Sequence, residues 1–231
     1  MQRTETSEKM NSGEFVLIDY VGRIKNSGEI FDLTREDEAK KAGIYKKDFK
    51  YGPVPVVIDG NFVLPGLNNA LKEMKVGEKR KVVIQPEKGF GKRSDELIKL
   101  IPEPKFKENN IDATPGSFVT INTFRGRIVS IDGGRVKVDF NHPLAGKELE
   151  YEVEVISLIN DVAEKARAIV YYFTGLEKEK IEVSIKEKGV EITTKKELDP
   201  KIETKEIITK NIMKWINELE EVRFVDVFEK E

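Results

Sequence analysis

The residues that usually perform covalent or metal chemistry are scarce in this chain. It has no cysteine and a single histidine, His142. This composition removes cysteine nucleophiles, thiolate metal sites and disulfides, and it leaves too few imidazoles for a histidine-based zinc or nickel site. A Ser-His-Asp triad would have to use His142, and no GxSxG motif supplies its serine. An enzyme with this sequence therefore needs a reaction that proceeds without such groups.

Cofactor chemistry finds no support in the sequence either. No GxxxxGK motif followed by Ser or Thr is present, and no GxGxxG motif follows an apolar strand, so the usual phosphate-binding loops are missing. We therefore expect no cofactor and no bound metal.

Charge and hydropathy narrow the range of partners. Charged residues make up 35% of the chain, yet the net formal charge is −2, without the basic surplus that is typical of nucleic-acid binders. No run approaches the ~20 apolar residues of a membrane span, and the N-terminal stretch MQRTETSEKMNSGEF lacks the apolar core of a signal peptide. We expect a soluble cytoplasmic protein that binds neither nucleic acid nor membrane.

The first third of the chain predicts strands around one helix. EFVLIDYVG and PVPVVIDG are rich in β-branched residues and predict strands, and NSG between them is a turn. LPGLNNALKEMKVGEKR predicts a helix, because Leu67, Leu71 and Met74 recur at helical spacing and Gly77 follows as a stop. KVVIQPEKGFG then predicts a strand that ends in a glycine-flanked turn.

The middle of the chain predicts a small antiparallel meander. SFVTINTFRGRIVSIDGGRVKVDF contains three alternating runs, which we expect to be separated by an Arg-Gly turn and an Asp-Gly-Gly turn. NHPLAG follows as a turn, and KELEYEVEVISL alternates as a strand.

The last seventy residues predict an α+β domain. DVAEKARAIVYYFTGL reads as a helix ended by Gly175, and IEVSIKEKGVEITT as a hairpin. DPKIETKEIITKNIMKWINELEE predicts a second helix that Asp199 caps and Pro200 begins. VRFVDVF closes the chain as a strand.

Taken in order, three stretches resemble FKBP-type peptidyl-prolyl isomerases: EFVLIDYVGRIKNSGEIFD, FVLPGLNNALKEMKVGEKRKVVIQPEKGFG and ELEYEVEV. The family pattern has a VxYxG strand, a GxxFD segment, a helix leaving through VGE, a PxxAYG turn and a final strand. The long interval after GFG, with NHPLAG as its most specific string, resembles the SlyD-like subgroup, in which a small β domain sits in the flap. Residues 158–231 resemble the additional C-terminal domain of long archaeal FKBP-type proteins.

The resemblance implies an α+β fold. An FKBP-like antiparallel sheet wraps on a short helix and carries an inserted small β domain and a C-terminal α+β domain. We expect residues 1–91 with 140–157 to form the isomerase domain, residues 92–139 the inserted flap or chaperone domain, and residues 158–231 the C-terminal domain. His142 would then lie in the turn where the insert returns, with a structural rather than a catalytic role.

Prolyl isomerisation suits a chain with so little catalytic equipment. An X–Pro bond interconverts in tens to hundreds of seconds because resonance gives C–N partial double-bond character. Its rotation needs no nucleophile and no proton transfer. An apolar pocket that removes water and holds the twisted amide can suffice, and lowering the barrier by about 4 kcal/mol accelerates rotation roughly a thousandfold.

By motif match, the resemblance implies nine pocket residues: Tyr20, Phe31, Asp32, Val63, Leu64, Leu67, Phe90, Tyr151 and Leu144. Leu67 stands where some members have tryptophan, and Tyr151 stands where the last strand usually offers phenylalanine. Phe90 replaces the tyrosine of AYG, so the hydroxyl donor commonly assigned there is missing. Leu144 is a flap candidate. From spacing alone, ordinary core is favoured over a pocket for the apolar and aromatic positions on strands and helix, and Asp32 could be a turn cap.

Two functions remain open at this stage. The first is a prolyl isomerase with chaperone activity, whose insert captures unfolded or proline-containing polypeptides through four apolar candidates that could also be the insert's own core: Phe118, Ile121, Phe124 and Ile128. The second is a catalytically weak holdase or adaptor on an FKBP scaffold, which the missing hydroxyl at Phe90 favours. Residues 158–231 are expected to form a homodimer through VRFVDVF as an open edge strand.

Overall fold

The computed structural model describes residues 9–108, 111–194 and 198–226. They form two units, one from residues up to 84 together with those from 150 onward, and one from residues 85–149. The strands are β1 (Phe15–Ile24), β2 (Ile30–Leu33), β3 (Val54–Val57), β4 (Lys79–Ile84), β5 (Ile98–Pro102), β6 (Phe118–Ile121), β7 (Phe124–Asp132), β8 (Arg135–Asp139), β9 (Leu149–Ile159), β10 (Ile181–Lys186), β11 (Gly189–Thr194) and β12 (Glu221–Asp226). The helices are α1 (Glu36–Lys41), α2 (Pro65–Lys72), α3 (Glu103–Glu108), α4 (Val162–Thr174) and α5 (Ile202–Trp215). This content confirms the predicted α+β class.

Strand β1 organises the five-stranded sheet of the first unit. Its N-terminal half pairs antiparallel with β3, from Phe15 opposite Val57, and its C-terminal half pairs antiparallel with β2. β9 follows on the other side of β1, and β4 lies beyond β9. The register sets Gly22 opposite Asp32. Strand β1 therefore pairs both with β2, which contains the FD segment, and with β3, which precedes α2.

Helix α2 packs its apolar side into the core of this unit. Leu67 and Leu71 are buried within it, and Met74 is buried just after its end, which contributes about 1.5–3 kcal/mol for each side chain. A Cβ on Gly66 would lie 2.5 Å from Ile84 Cγ2, so glycine is needed for this close approach of the helix to β4. The helix ends earlier than the sequence predicts, and Gly77 instead turns the chain with φ +80°.

The predicted three-run meander is confirmed as the consecutive antiparallel strands β6, β7 and β8, and β5 adds an unpredicted fourth strand to the sheet, whose order is β5-β8-β7-β6. β5 was missed because its five residues, IKLIP, end in proline and are too few to show an alternation. The core of the insert consists of five buried residues from α3 and the strands: Phe106, Val119, Ile128, Val136 and Val138.

The first turn of the insert differs from the prediction. The chain reverses at Asn122 and Thr123, which adopt φ values of +49° and +78°. The expected Arg-Gly turn is wrong, because Gly126 lies inside β7, where a Cβ would come within 2.6 Å of Val138 Cγ1. The Asp-Gly-Gly turn is confirmed, with positive φ at both Gly133 and Gly134 as two-residue hairpins require.

The C-terminal elements belong to the first unit. The Asp161 carboxylate caps α4 by accepting from the Glu164 amide at 2.9 Å, and the predicted end at Gly175 is confirmed, with φ +67°. α4 packs against β10, α5 and β3, and the Lys165 ammonium lies 5.8 Å from the centre of the Phe15 ring on β1. Helix α4 therefore packs directly on the isomerase sheet.

The predicted start of the last helix is wrong. α5 begins at Ile202, because Lys201 is still extended with ψ 156° and has no capping side chain. Asp199 instead forms an ion pair of 2.6 Å with Lys205. β12 pairs with β11 in parallel at one edge of the sheet β10-β11-β12. Its last predicted residues, Val227 and Phe228, lie outside the described residues.

None of the helices in the described ranges has the length and apolar character that crossing a bilayer requires.

Candidate active site

A tyrosine and a carboxylate are joined at the boundary of β1 and β2. The Tyr20 hydroxyl donates a hydrogen bond of 2.8 Å to Asp32 Oδ2. The backbone around this pair is held by Thr34, whose side-chain oxygen accepts from the Tyr20 amide at 2.7 Å. Because Asp32 accepts this hydrogen bond across two strands, it is more than the local turn cap that its sequence context also allowed.

Two further aromatic rings lie beside this pair. The Tyr151 ring on β9 lies 5.6 Å from the Tyr20 ring and 5.7 Å from the Phe31 ring, the latter edge-on at 83°. Edge-to-face and tilted contacts at these distances are favourable for aromatic side chains. Tyr20, the adjacent Phe31 and Asp32, and Tyr151 come from three separate strands and are therefore one cluster.

Gly22 makes room for this cluster, although it is not among the predicted pocket residues. A Cβ at Gly22 would lie 2.9 Å from Phe31 Cζ and 3.1 Å from Tyr151 Cε1. Glycine in a strand interior often marks such a close approach. That signal was available in EFVLIDYVG, where Gly22 follows Tyr20 by two residues.

Burial sets the protonation of the two tyrosines. Burial raises the pKa of Tyr20 well above its ordinary value, and the neighbouring Asp32 charge and its hydrogen bond raise it further. Burial, followed by the Asp32 charge, also raises the pKa of Tyr151. Both phenols are therefore neutral hydrogen-bond donors over the physiological pH range.

Val63 and Leu64 lead into α2, and both are half-buried. The preceding loop is strained, with positive φ at Asp59 and Asn61. Asp59 stabilises it by accepting from Asn68 Nδ2 at 2.6 Å and from Lys72 Nζ at 2.8 Å. These partners, Lys72 first, lower the pKa of Asp59, so the network persists at neutral pH.

Leu67 is only 1% exposed. Its side chain belongs to the core beneath α2. A contact with substrate could therefore be made only from the floor of the pocket. The two predictions for Leu67, core and pocket floor, are both compatible with this position.

Phe90 and Leu144 belong to the unit formed by residues 85–149. The Phe90 ring stacks in parallel on His142, with centroids 4.4 Å apart. The Leu144 amide donates to His142 Nδ1 at 3.1 Å, and the His142 carbonyl accepts from Ala145 at 2.9 Å. His142 thus organises a turn, as predicted, and supports the Phe90 ring.

The two connecting segments of the insert are hydrogen-bonded to each other. The Gly146 amide donates to the Gly91 carbonyl at 2.8 Å, and Asn141 Nδ2 donates to the Ser94 carbonyl at 2.9 Å. Burial opposes ionisation of Asp139, but hydrogen bonds from Asn141 and the Arg93 charge outweigh it and lower the pKa of Asp139. The GFG and NHPLAG segments are therefore held side by side where the chain enters and leaves the insert.

The four client-binding candidates differ in exposure. Phe118 and Phe124 are 51% and 68% exposed, whereas Ile121 is half-buried against the core of the insert. Ile128 is fully buried in that core, which corrects its prediction as a client-binding residue, because its side chain cannot reach a partner. Further exposed apolar side chains of the same sheet were not predicted: Leu100, Val129 and Ile131.

No group of three or more potential ligands for a metal ion occurs among the described residues.

Comparison with known proteins follows the same division of the chain. Residues 99–144 match the family described as FKBP26, IF domain, and residues 162–229 match the FKBP26 C-terminal family. The short-type peptidyl-prolyl cis-trans isomerase of Methanocaldococcus jannaschii is 32% identical over 146 residues, which are 63% of this chain and 92% of that protein.

Two bacterial proteins are also similar. A probable FKBP-type 16 kDa peptidyl-prolyl cis-trans isomerase of Pseudomonas fluorescens is 39% identical over 105 residues, 43% of this chain and 68% of that protein. The FKBP-type isomerase SlyD of Haemophilus influenzae is 34% identical over 108 residues, 46% of this chain and 57% of that protein. With the sheet, the tyrosine–aspartate pair and the insert in place, these similarities establish that the chain belongs to the FKBP-type peptidyl-prolyl cis-trans isomerases with an insert in the flap.

Proposed function

We propose that this isomerase turns X–Pro bonds in an apolar pocket framed by Tyr20, Phe31 and Tyr151, and that its insert captures unfolded segments of client proteins. The observation that carries the first part is the partly buried Tyr20–Asp32 hydrogen bond, which lies beside the Tyr151 ring. It fixes one carboxylate and one phenol in an otherwise apolar cluster. Such a constellation binds a polar amide without supplying nucleophile or base.

The proposed mechanism depends on exclusion of water. In water, the conjugated X–Pro amide is well hydrogen-bonded, and transfer to an apolar pocket removes part of that support for the planar form. The pyrrolidine ring of proline packs against the aromatic rings. The Asp32 carboxylate, oriented by its hydrogen bond from Tyr20, faces the twisting amide. The neutral Tyr151 phenol adds a donor without adding charge, whereas the Tyr20 hydroxyl already donates to Asp32. Catalysis then comes from tighter binding of the twisted amide than of the planar one.

Backbone groups at the start of α2 are the proposed anchor for the substrate chain. The first amides of a helix lack intrahelical partners, and Leu64 is the residue preceding the first turn of α2. The Asp59, Asn68 and Lys72 network holds this segment. Val63 and Leu64 are therefore proposed to pair with the substrate backbone.

Client capture is proposed for the exposed apolar side of the insert. Phe118 lies on β6, which is an edge strand of the described sheet, and Phe124 opens β7. An exposed edge with adjacent aromatic side chains can accept an extended segment as an additional strand. Phe118 and Phe124 are the main proposed contacts, with Ile121 at their border.

The remaining expectations concern assembly and location. A homodimer through residues 158–231 is supported by the edge position of β12 and by the 37% exposure of Val225 on it. Light scattering at micromolar concentration tests it, and a monomer refutes it. The cytoplasm remains the proposed location.

The pocket is tested by exchange NMR of a short X–Pro peptide with wild type and Asp32→Ala. We expect the wild type to accelerate interconversion and Asp32→Ala to lower kcat/KM by about tenfold or more. If wild type leaves the peptide rate unchanged, the alternative of a holdase on an FKBP scaffold is correct. If Asp32→Ala matches wild type, the assigned pocket is wrong.

Client capture needs a separate assay. A proline-limited refolding reaction is compared for wild type, a deletion of about residues 92–139, a Phe118→Ser/Phe124→Ser double variant and Ile202→Ser, which changes a residue 65% exposed outside the insert. We expect the deletion and the double variant to lose refolding activity while peptide turnover persists, and Ile202→Ser to match wild type. Equal refolding by the double variant and wild type refutes these contacts.

A further inference from the structure

Helix α4 of the C-terminal elements ends against the isomerase residues. The Lys50 ammonium, in the segment before β3, donates to the Gly175 carbonyl at 2.5 Å and lies 3.9 Å from Glu177 Oε1. Gly175 is the residue that ends α4. The last turn of the helix is therefore tied to the part of the chain that leads into the proposed pocket.

Tyr172, in this last turn, covers a residue at the entrance to α2. Its ring lies 4.1 Å from the Phe62 ring, and the Phe173 ring lies 6.1 Å from Phe62 on the same helix end. Phe62 is 8% exposed and Tyr172 is 43% exposed. Tyr172 is thus the outer layer over Phe62, and Phe62 directly precedes Val63 and Leu64, the proposed backbone anchor.

The phenol of Tyr172 interacts electrostatically with that of Tyr20. Tyr172 is among the groups whose charge raises the pKa of Tyr20, after burial, Asp32 and Tyr151. Burial raises the pKa of Tyr172 itself above its ordinary value. Its hydroxyl is therefore a neutral donor at physiological pH, and it makes no hydrogen bond to any other described residue.

The isomerase residues lack one donor that their family pattern contains. Phe90 stands at the position of the usual tyrosine, so the hydroxyl commonly assigned to bind the substrate carbonyl is missing. Tyr172 offers a hydroxyl of the same kind, from an element that a minimal isomerase does not have. A partly exposed tyrosine also supplies a rigid apolar surface for a bound peptide.

We propose that Tyr172 is a substrate-contacting residue of the isomerase, with its ring forming one rim of the pocket and its hydroxyl donating to a backbone carbonyl of the bound proline peptide. This inference rests on the proposed pocket around Tyr20 and Asp32. It gives the C-terminal elements a direct part in peptide turnover, in addition to any part in assembly.

The test compares Tyr172→Phe with Tyr171→Phe in the full-length chain. Each change removes one hydroxyl from α4, and Tyr171 is the matched control because it is the neighbouring tyrosine and belongs to no proposed site. In exchange NMR with a short Leu-Pro peptide, we expect Tyr172→Phe to lower kcat/KM about fivefold and Tyr171→Phe to match wild type. Tyr172→Ala should lower it further through loss of the ring.

A second readout separates contact from stability. Titration of the same peptide into labelled wild-type protein should shift the amide signals of residues near Tyr172, and Tyr172→Phe should weaken peptide binding while its thermal midpoint stays at the wild-type value. Unchanged turnover in Tyr172→Phe overturns the proposal, even if Tyr172→Ala is impaired, because the hydroxyl would then contribute nothing. Asp32→Ala is measured alongside. If it is inactive while Tyr172→Phe is fully active, the pocket stands and only the role of Tyr172 fails, whereas full activity of Asp32→Ala refutes the pocket itself.

Discussion

The Tyr20 hydroxyl is hydrogen-bonded to Asp32 Oδ2 at 2.8 Å, with Gly22 opposite Asp32 in the strand register. The bond joins the first strand to the FD segment and lies beside the Tyr151 ring. It makes the carboxylate part of the aromatic cluster instead of leaving it to solvent. Its strength can be measured separately from the activity it supports.

Tyr20→Phe removes the donor and keeps the ring. Because hydrogen bonds to charged groups contribute about 1.5–3 kcal/mol, we expect peptide kcat/KM to fall about tenfold and the free energy of unfolding to decrease. A double-mutant cycle with Asp32→Ala should give a coupling energy of about 1 kcal/mol or more. Additive effects of the two changes would show that the bond has no energetic role.

Gly22→Ala should obstruct the pocket. The added methyl would lie 2.9 Å from Phe31 Cζ, so a ring must move, and overpacking of this kind costs about 1–3 kcal/mol. We expect a fall in kcat/KM of about tenfold or more, measured with the peptide assay. Gly189→Ala is the matched control, because a Cβ there meets only ordinary contacts, the nearest at 3.4 Å. Equal activity of the two variants would contradict the tight fit at Gly22.

Alkaline titration should reveal the two buried phenols. The pKa values of Tyr20 and Tyr151 are raised in the folded state, whereas in the unfolded chain they ionise near the ordinary value of 10.0. The stability that these phenols contribute is complete below pH 10 and is lost as pH rises above it. Tyrosinate absorbance at 295 nm should therefore show a late step that coincides with unfolding, and Tyr20→Phe should diminish that step. A titration in which all six tyrosines ionise together near pH 10 would contradict the burial.

His142 should be replaceable by a residue that cannot titrate. His142→Phe keeps a flat ring for stacking on Phe90, which lies 4.4 Å away, and it removes both imidazole nitrogens. We expect peptide kcat/KM within about twofold of wild type, since only one hydrogen bond of ordinary strength is lost, and a larger loss for His142→Ala. Inactivity of both variants would instead identify His142 as a catalyst.

The sequence was sufficient for most of the architecture and for the members of the aromatic cluster. Ordered motifs predicted that Tyr20, Phe31, Asp32 and Tyr151 belong together, and the rings and the hydrogen bond show them in contact. A local signal also predicted the end of α4, because a terminal Gly175 acts through neighbouring backbone groups. Such features need no knowledge of distant contacts.

Features that depend on distant packing were not predictable. Ile128 and Phe124 share one face of β7 by alternation, yet Ile128 lies over the core and Phe124 lies beyond it, next to the Asn122–Thr123 turn. Tyr172 contacts Phe62 only because α4 packs on the isomerase sheet. No periodicity within either segment contains that information.

The hydrogen bond between Gly146 and Gly91, 2.8 Å long, has a consequence for how the insert can be exchanged. Because the two ends of the insert lie side by side, it can be placed in a loop of another protein without pulling that loop's ends apart. Such an insertion therefore strains the host backbone little. Transplanting residues 92–145 into a surface loop of an unrelated protein, or closing the gap here with a short glycine linker, is therefore a local change to each recipient.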